Sequence, residues 1–273
     1  MSCRSSAEPG LPVLAATLDG PAGAPVLVLG NSLGTSCGLW EPQLAAFGRY
    51  FRLLRFELRG HGGAGERLSP GRSPAPPGPY TIAELGADVL ALLDSYRIDR
   101  ALYCGVSLGG MVGIWLAANA PERIAGLGLC CTSAYLPPAG LWTDRAGRVR
   151  SGELDAIAGQ VVSRWFTPAF QARAPTVAAA FVAGLRQVDP AGYAGCCEAV
   201  AAMDLRPALA AIRAPTLVVA GADDPATPPW HGAVIAAGIS GARLTVLRGA
   251  AHLANVSVPG EVTAALLRHL RGL

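Results

Sequence analysis

The segment LYCGVSLGGM (residues 102–111) places Ser107 between two glycines at the end of an apolar run. The apolar residues 101–106 predict a strand, and residues 108–120 have the pattern of a helix. A sharp turn between the two would expose the serine hydroxyl at the end of the strand, and small flanking residues would let the arms of the turn approach each other. The segment therefore predicts a nucleophilic serine. A glycine-rich turn with a helix-capping serine is the alternative.

On both sides of Ser107, apolar segments rich in β-forming residues alternate with helical patterns. Several of these segments are apolar on both faces, which is typical of strands buried between two layers of helices. The alternation predicts an α/β fold with a mostly parallel, doubly wound sheet. The predicted strands are 24–32, 51–56, 101–107, 124–132, 215–223 and 242–249, and the predicted helices are 81–96, 108–120 and 259–273.

Two segments interrupt this alternation. Residues 62–79 are dominated by Gly, Pro and Ser and predict a loop. Residues 133–208 have helical patterns without a convincing strand, and so long a connection inside one domain is usually functional. We therefore expect a core formed by residues 1–132 and 209–273, with residues 133–208 inserted as a helical cap.

The composition excludes several classes of protein. The 273 residues suit a single α/β domain with an insertion, and the formal net charge is only +3. The basic residues, all of them arginine, form no dense run, so neither a nucleic-acid nor a membrane partner is expected. The seven cysteines include no Cys-x-x-Cys pair, and no signal-peptide pattern is apparent. We expect reduced thiols in a cytoplasmic enzyme.

A serine nucleophile needs a base, and in this architecture an acid and then a histidine follow it, each just beyond a later strand. His252 comes directly after the strand 242–249 and is the expected base. The other histidines fit less well: His61 precedes the serine, His231 lies too close to the acid loop, and His269 falls on the apolar face of the last helix. For the acid, Asp223 and Asp224 remain equally possible, because adjacent extended residues point in opposite directions.

Backbone N–H groups should stabilise the oxyanion that forms when the serine attacks a carbonyl. One would come from Leu108, at the start of the helix after the serine. The second would come from Leu33, in the segment GNSLGTS (30–36) after the first core strand, which could also be a simple polar turn.

These features together resemble the α/β-hydrolase fold family over nearly the whole chain from about residue 12. Two of the motifs, RGHG (59–62) and CGVSLGG (104–110), are shared by many hydrolases. Two others, RWFTPAF (164–170) and GYAGCCEAV (192–200), are more particular, and through them the chain resembles the 3-oxoadipate enol-lactonases within that family.

The resemblance implies a triad of Ser107, Asp224 and His252, because the family's Gly-x-x-Asp pattern ends at Asp224 here. It also implies that Trp142 and Arg145, in the expected cap, lie near the substrate.

The implied reaction opens a small enol-lactone that bears a carboxylate, through an acyl-enzyme. Its partner is that carboxylated lactone, and it requires no metal or organic cofactor. No oligomeric state is predicted. A broad carboxylesterase or a carbon–carbon bond hydrolase with the same triad, and a non-catalytic ligand-binding module, are the alternatives.

Overall fold

Strands and helices alternate along most of the chain in the computed structural model, which describes residues 14–62 and 76–273. The strands are β1 (Ala16–Asp19), β2 (Val26–Gly30), β3 (Arg52–Phe56), β4 (Ala101–Val106), β5 (Ile124–Cys130), β6 (Thr216–Gly221) and β7 (Arg243–Leu247). The α-helices are α1 (Glu41–Phe47), α2 (Ile82–Ser95), α3 (Leu108–Asn119), α4 (Ala139–Arg150), α5 (Leu154–Ser163), α6 (Pro168–Arg173), α7 (Pro175–Arg186), α8 (Pro190–Ala202), α9 (Pro229–Gly238), α10 (Ala254–Ser257) and α11 (Pro259–Leu270).

The seven strands form one sheet in the order β1-β3-β2-β4-β5-β6-β7. Every neighbouring pair is parallel except β1 and β3, so the predicted mostly parallel sheet is confirmed. All six predicted strands are present and slightly shorter than predicted, since the predicted segments included the first loop residues beyond each strand. The sequence analysis missed β1, because four residues of mixed burial at the sheet edge carry too little periodicity to stand out.

The central strands lie between helices and are buried along their whole length, as their apolar sequences predict. Strand β4 is buried at all six positions. Helix α3 packs on β2, β4 and β5, α9 packs on β6 and β7, and α11 packs on β5 and β6. This packing fixes the carboxyl ends of the parallel strands, where the loops that follow β2, β4, β6 and β7 meet.

Five helices, α4 to α8, lie between β5 and β6, and we call residues 139–202 the helical segment. No strand occurs in it, in agreement with the helical pattern of the sequence. Local sequence signals set several helix starts: Thr167 and Asp189 accept hydrogen bonds from the first turns of α6 and α8, and each is followed by a proline. Helix α4 packs on α8 and α5 on α7. The division into core and cap stays a prediction.

Most of the predicted loop 62–79 lies outside the described residues, namely residues 63–75. The part that is described, from residue 76, leads into α2, which begins with a capping box between Thr81 and Glu84. Among the described residues, no helix combines the length and the apolar character needed to cross a bilayer.

The six described cysteines are buried. Burial raises the pKa of five of these thiols, which are Cys104, Cys130 and Cys131 in and after the central strands and Cys196 and Cys197 in α8. Each of these five thiols therefore stays protonated and packs as a small apolar group.

Candidate active site

Ser107 occupies the turn between β4 and α3, with φ 54° and ψ −117°. A positive φ is strained for a residue with a side chain, and such strain persists only where the surroundings enforce it. Here the flanking glycines allow neighbouring backbone segments to pack closely enough to hold the serine in this conformation. A Cβ on Gly105 would lie 2.3 Å from the carbonyl carbon of Gly109, and a Cβ on Gly109 would lie 2.4 Å from that of Gly30. The two glycines are therefore required by backbone packing around the serine.

His252 follows β7 and connects Ser107 to an acid. Its Nε2 atom is 2.8 Å from Ser107 Oγ, and its Nδ1 atom is 2.8 Å from Asp224 Oδ2. A carboxylate can only accept, so Nδ1 carries the proton of the neutral ring. Nε2 is then an acceptor and can take the proton of the serine hydroxyl.

The structure brings Asp224, not Asp223, to His252. The side chain of Asp223 is exposed, whereas Asp224 is 3% exposed. Asp224 accepts hydrogen bonds from the N–H groups of Ala226 and Thr227 and from the Thr227 hydroxyl. Burial by itself raises the pKa of Asp224, but the His252 ring and these hydrogen bonds lower it to about 2. The carboxylate is therefore ionised at neutral pH and holds the ring in one orientation.

Two backbone N–H groups lie beside the serine without a backbone acceptor among the described residues, those of Leu33 and Leu108. Leu108 is the first residue of α3. Leu33 belongs to a turn in which the Thr35 N–H donates to the Ser32 carbonyl, and Gly34 supplies the positive φ of 81° that the turn requires. The Gly109 N–H, which follows Leu108, donates to the Asn31 carbonyl at 2.9 Å and ties the two loops together. Leu33 and Leu108 are the residues predicted to supply the two oxyanion donors, and that role stays a prediction.

The remaining histidines do not contact Ser107. His61 lies in the loop after β3, where its Nε2 accepts from the Gly34 N–H at 2.9 Å. His231, at the start of α9, contacts Ser133 Oγ through Nδ1 at 2.8 Å. His269 is buried in α11, where its Nε2 lies 3.2 Å from the carbonyls of Leu127 and Pro215.

A cavity of about 290 Å³ opens above the serine, between the sheet edge and the helical segment. Ser107 and His252 line one side of it, and Trp142 and Arg145 line another. The Arg145 guanidinium stacks on the Trp142 ring, 4.6 Å from the ring centre. The structure thus brings both cap residues singled out in the sequence to the same cavity as the triad.

Apart from Leu33, the other residues that line the cavity were assigned no role in the sequence analysis. They are mostly apolar or aromatic, with one further guanidinium from Arg164 and one further imidazole from His231. Tyr193 is fully buried, and the Arg145 guanidinium lies close to its hydroxyl. Burial raises the pKa of this phenol, so it stays protonated. The segment that carries Tyr193 stood out in the sequence as a motif, but no pattern in it indicated that the hydroxyl faces a cavity.

The charges of this cavity favour an anionic ligand. Its described wall contains two arginines and no aspartate or glutamate. Arg145 has no ion-pair partner among residues 14–62 and 76–273, and Arg164 contacts only the Pro225 carbonyl there. Within the same residues, no group of three or more His, Cys, Asp or Glu side chains is placed to hold a metal ion.

Comparison with known proteins identifies the architecture that carries this site. The sequence model of the alpha/beta hydrolase fold matches residues 25–257. The chain belongs to the alpha/beta hydrolase fold family. Within this family the order of nucleophile, acid and histidine along the chain, each beyond a strand of the sheet, is the order found here for Ser107, Asp224 and His252.

The names of similar proteins in this family point to different substrates. The chain is 40% identical to 3-oxoadipate enol-lactonase 2 of Acinetobacter baylyi, over 88% of this chain and 86% of that protein. It is 31% identical to a putative carbamate hydrolase of Rhizobium rhizogenes, over 91% of this chain and 93% of that protein. Among solved structures, the enol-lactonase of Burkholderia xenovorans matches with a TM-score of 0.88 and 40% identity, and covers 94% of this chain and 96% of that one.

Proposed function

We propose that this protein is a serine hydrolase that opens the ring of 3-oxoadipate enol-lactone to give 3-oxoadipate, a step of aromatic-compound catabolism. The observation that carries the proposal is the hydrogen-bonded series Asp224–His252–Ser107 at one side of a small cavity that also contains the Arg145 guanidinium. The similarity to two enol-lactonases supports the choice of substrate. The free thiols of Cys104, Cys130, Cys131, Cys196 and Cys197 are in keeping with the cytoplasmic location proposed for it.

The first step forms an acyl-enzyme. Ser107 Oγ attacks the lactone carbonyl while its proton passes to His252 Nε2, and the ionised Asp224 stabilises the imidazolium. The N–H groups of Leu33 and Leu108 bind the oxygen that becomes negative, and one such donor is typically worth about 3 kcal/mol in the transition state.

Collapse of this intermediate breaks the ring C–O bond. The departing oxygen takes the proton from His252 and becomes an enol, which can convert to the ketone. Because the ester is a ring, this oxygen stays attached to the acyl group on Ser107. Water then attacks the acyl carbon, gives its proton to His252, and releases the new carboxylic acid and the serine hydroxyl.

Substrate selection is proposed to rest on the carboxylate arm of the lactone. A guanidinium can bind a carboxylate through two parallel hydrogen bonds. Arg145 supplies that group without competition from an acidic side chain of the cavity wall, and the Trp142 ring restricts its orientation. The cavity volume, at the lower end of the usual range for ligand sites, suits a substrate of this size.

The decisive experiment follows the ultraviolet absorbance of the enol-lactone with the purified protein and with Ser107→Ala. We expect rapid loss of absorbance with the unaltered chain and a loss of activity of about 10⁴-fold or more in the variant, since Ser107 Oγ is the described hydroxyl that contacts His252 Nε2. Labelling by a fluorophosphonate probe should also disappear. A Ser107→Ala protein that still hydrolyses the lactone would contradict the proposal, and a chain that takes no label would indicate a ligand-binding module.

A second experiment separates a lactonase from a broad esterase or a carbamate hydrolase. Arg145→Ala should raise KM for the carboxylated lactone by roughly 10- to 100-fold, the effect of losing a charged hydrogen bond, and leave KM for a neutral nitrophenyl ester unchanged. Arg148→Ala is the matched control, because Arg148 lies on the same helix but pairs with Glu153 at the surface. Equal effects of Arg145→Ala on both substrates, or faster turnover of the neutral ester or a carbamate by the unaltered chain, would favour the alternatives.

A further inference from the structure

His61 is a fully buried histidine in the RGHG segment, and the proposed mechanism does not use it. It ends a turn in which its N–H donates to the Leu58 carbonyl at 2.8 Å, with Gly60 at φ 73°. Its ring packs against that of Tyr193, with the ring centres 6.5 Å apart. The imidazole therefore lies beside the cavity, behind the turn that carries Leu33.

The two ring nitrogens of His61 have partners that fix its proton. The Gly34 N–H points at Nε2 at 2.9 Å, and Nδ1 lies 2.9 Å from the Arg59 carbonyl oxygen. A backbone N–H can only donate and a carbonyl can only accept. His61 is therefore the neutral tautomer with its proton on Nδ1, and Nε2 presents a lone pair to Gly34.

These bonds fix the direction of the Leu33 N–H, because they hold the peptide planes on both sides of Leu33. The plane before it contains the Ser32 carbonyl, which accepts from the N–H of Thr35 at 3.1 Å and from its hydroxyl at 2.8 Å. The plane after it contains the Gly34 N–H, which His61 holds. The Leu33 N–H belongs to the first plane, and the second bond ties the turn to the loop after β3, so without it the turn could shift and move the Leu33 N–H away from Ser107.

The imidazole itself is anchored to the core. Arg59, whose carbonyl accepts from His61, forms a two-point ion pair with Asp88 of α2 at 2.6 and 2.8 Å, and both side chains are buried. The backbone of Arg59 also packs closely against Gly192 at the start of α8, where a Cβ would lie 2.5 Å from the Arg59 oxygen. The carbonyl that orients His61 thus has little freedom to move.

We propose that His61 is a positioning residue for the oxyanion site: its Nε2 lone pair holds the Gly34 N–H and thereby aims the Leu33 N–H at the oxygen that becomes negative during attack by Ser107. This inference rests on the proposed serine hydrolase function, but not on which ester or lactone is the substrate. The contribution of His61 is expected in the transition state, where the oxygen carries charge, and not in substrate binding.

The test compares His61→Leu and His61→Gln with His269→Leu. Leucine removes the acceptor, whereas glutamine can place its amide oxygen near the position of Nε2. His269 is the matched control, because it is also a buried histidine bound to backbone carbonyls but lies away from the cavity. Three quantities are measured for each variant: kcat and KM for the lactone or a nitrophenyl ester, the affinity for a boronic acid that forms a tetrahedral adduct with serine, and the melting temperature.

We expect His61→Leu to lower kcat by roughly 10- to 100-fold, less than the complete loss of one oxyanion donor, and to weaken boronic acid binding by a similar factor. KM should change by less than about threefold, because the ground-state carbonyl carries little charge. His61→Gln should recover most of the loss. His269→Leu should lower the melting temperature and leave kcat and boronic acid affinity unchanged.

Equal kcat and boronic acid affinity in His61→Leu and the unaltered chain would overturn the inference, as would losses in His61→Gln as large as those in His61→Leu. If His61→Leu fails to fold, Thr35→Val replaces it. This change removes the hydroxyl bond to the Ser32 carbonyl on the other side of Leu33, and it should lower kcat and boronic acid affinity together by a smaller factor. Failure of the proposed function has a different signature, which is activity that survives Ser107→Ala.

Discussion

The glycines that flank Ser107 and the glycines of α4, α5 and α7 have opposite surroundings. A Cβ on Gly105 or Gly109 would collide with neighbouring backbone, whereas a Cβ on Gly147 or Gly159 would meet nothing within 4 Å. At the sheet edge, backbone packing dictates the residue type, so the sequence carries a readable pattern around Ser107. In the helical segment, many positions tolerate change, and the residues that matter are those whose side chains reach the cavity.

The largest effect on activity should appear when two adjacent acids at the sheet edge are compared. Asp224→Asn should lower kcat by about 10⁴-fold, because an amide favours the wrong tautomer of His252 and cannot stabilise its charged form. Asp223→Asn, at an exposed position one residue away, should leave kcat unchanged within about twofold, as surface changes usually do. Steady-state hydrolysis measures both. Similar losses of kcat in the two variants would contradict the assignment of Asp224, because they would show that burial beside His252 does not decide which aspartate supports catalysis.

Gly105→Ala should be strongly destabilising. The added methyl group meets backbone atoms that cannot rotate away, so we expect the free energy of unfolding to fall by about 3 kcal/mol or more, at the upper end for overpacked sites. Urea unfolding monitored by fluorescence measures this loss. A stable, active Gly105→Ala protein would contradict this expectation, because it would show that the turn around Ser107 can accommodate a methyl group.

Between pH 7.5 and pH 5.5, histidines outside the helical segment should lower the stability of the protein, because all four histidines lie outside residues 139–202. Burial lowers the pKa of His231 and His269 below the ordinary value of 6.5. The unfolded chain then binds more protons than the folded one, so stability should fall as the pH drops below about 6.5.

His269→Gln tests this pH dependence. Glutamine can still donate to the two carbonyls but does not titrate. The difference in the free energy of unfolding between pH 7.5 and pH 5.5 should therefore shrink in the variant, and an unchanged difference would assign the effect to other groups.

The smallest effect, of opposite sign, is expected in the helical segment. Gly159→Ala, in the interior of α5, should raise the free energy of unfolding by roughly 0.5–1 kcal/mol, because alanine restricts the unfolded chain and favours helix. Activity should stay the same. Destabilisation at this position would remove the contrast with Gly105.

The sequence predicted the parts of the site that depend on local backbone geometry. Ser107 and His252 were identified because each follows a strand at a recognisable turn. The choice between Asp223 and Asp224 needed the family resemblance, since alternation only says that the two point apart, and burial decides which one faces the core. Tyr193 and His231 were not assigned to the cavity. Which face of a helix reaches a cavity depends on how α8 packs on α4 and how α9 packs on the sheet, and these contacts join residues far apart in the chain.

The buried thiols lie in two different parts of the fold, so their chemical modification can report local unfolding of each part separately. Cys130 ends β5 and Cys131 follows it, whereas Cys196 and Cys197 lie in α8, and all four thiols are buried in the native fold. A small alkylating agent applied under native conditions can modify a thiol only when the surrounding element opens. If the helices above the serine can detach while the sheet stays intact, the second pair will be modified long before the first, and mass spectrometry of the peptides will read out the two lifetimes separately.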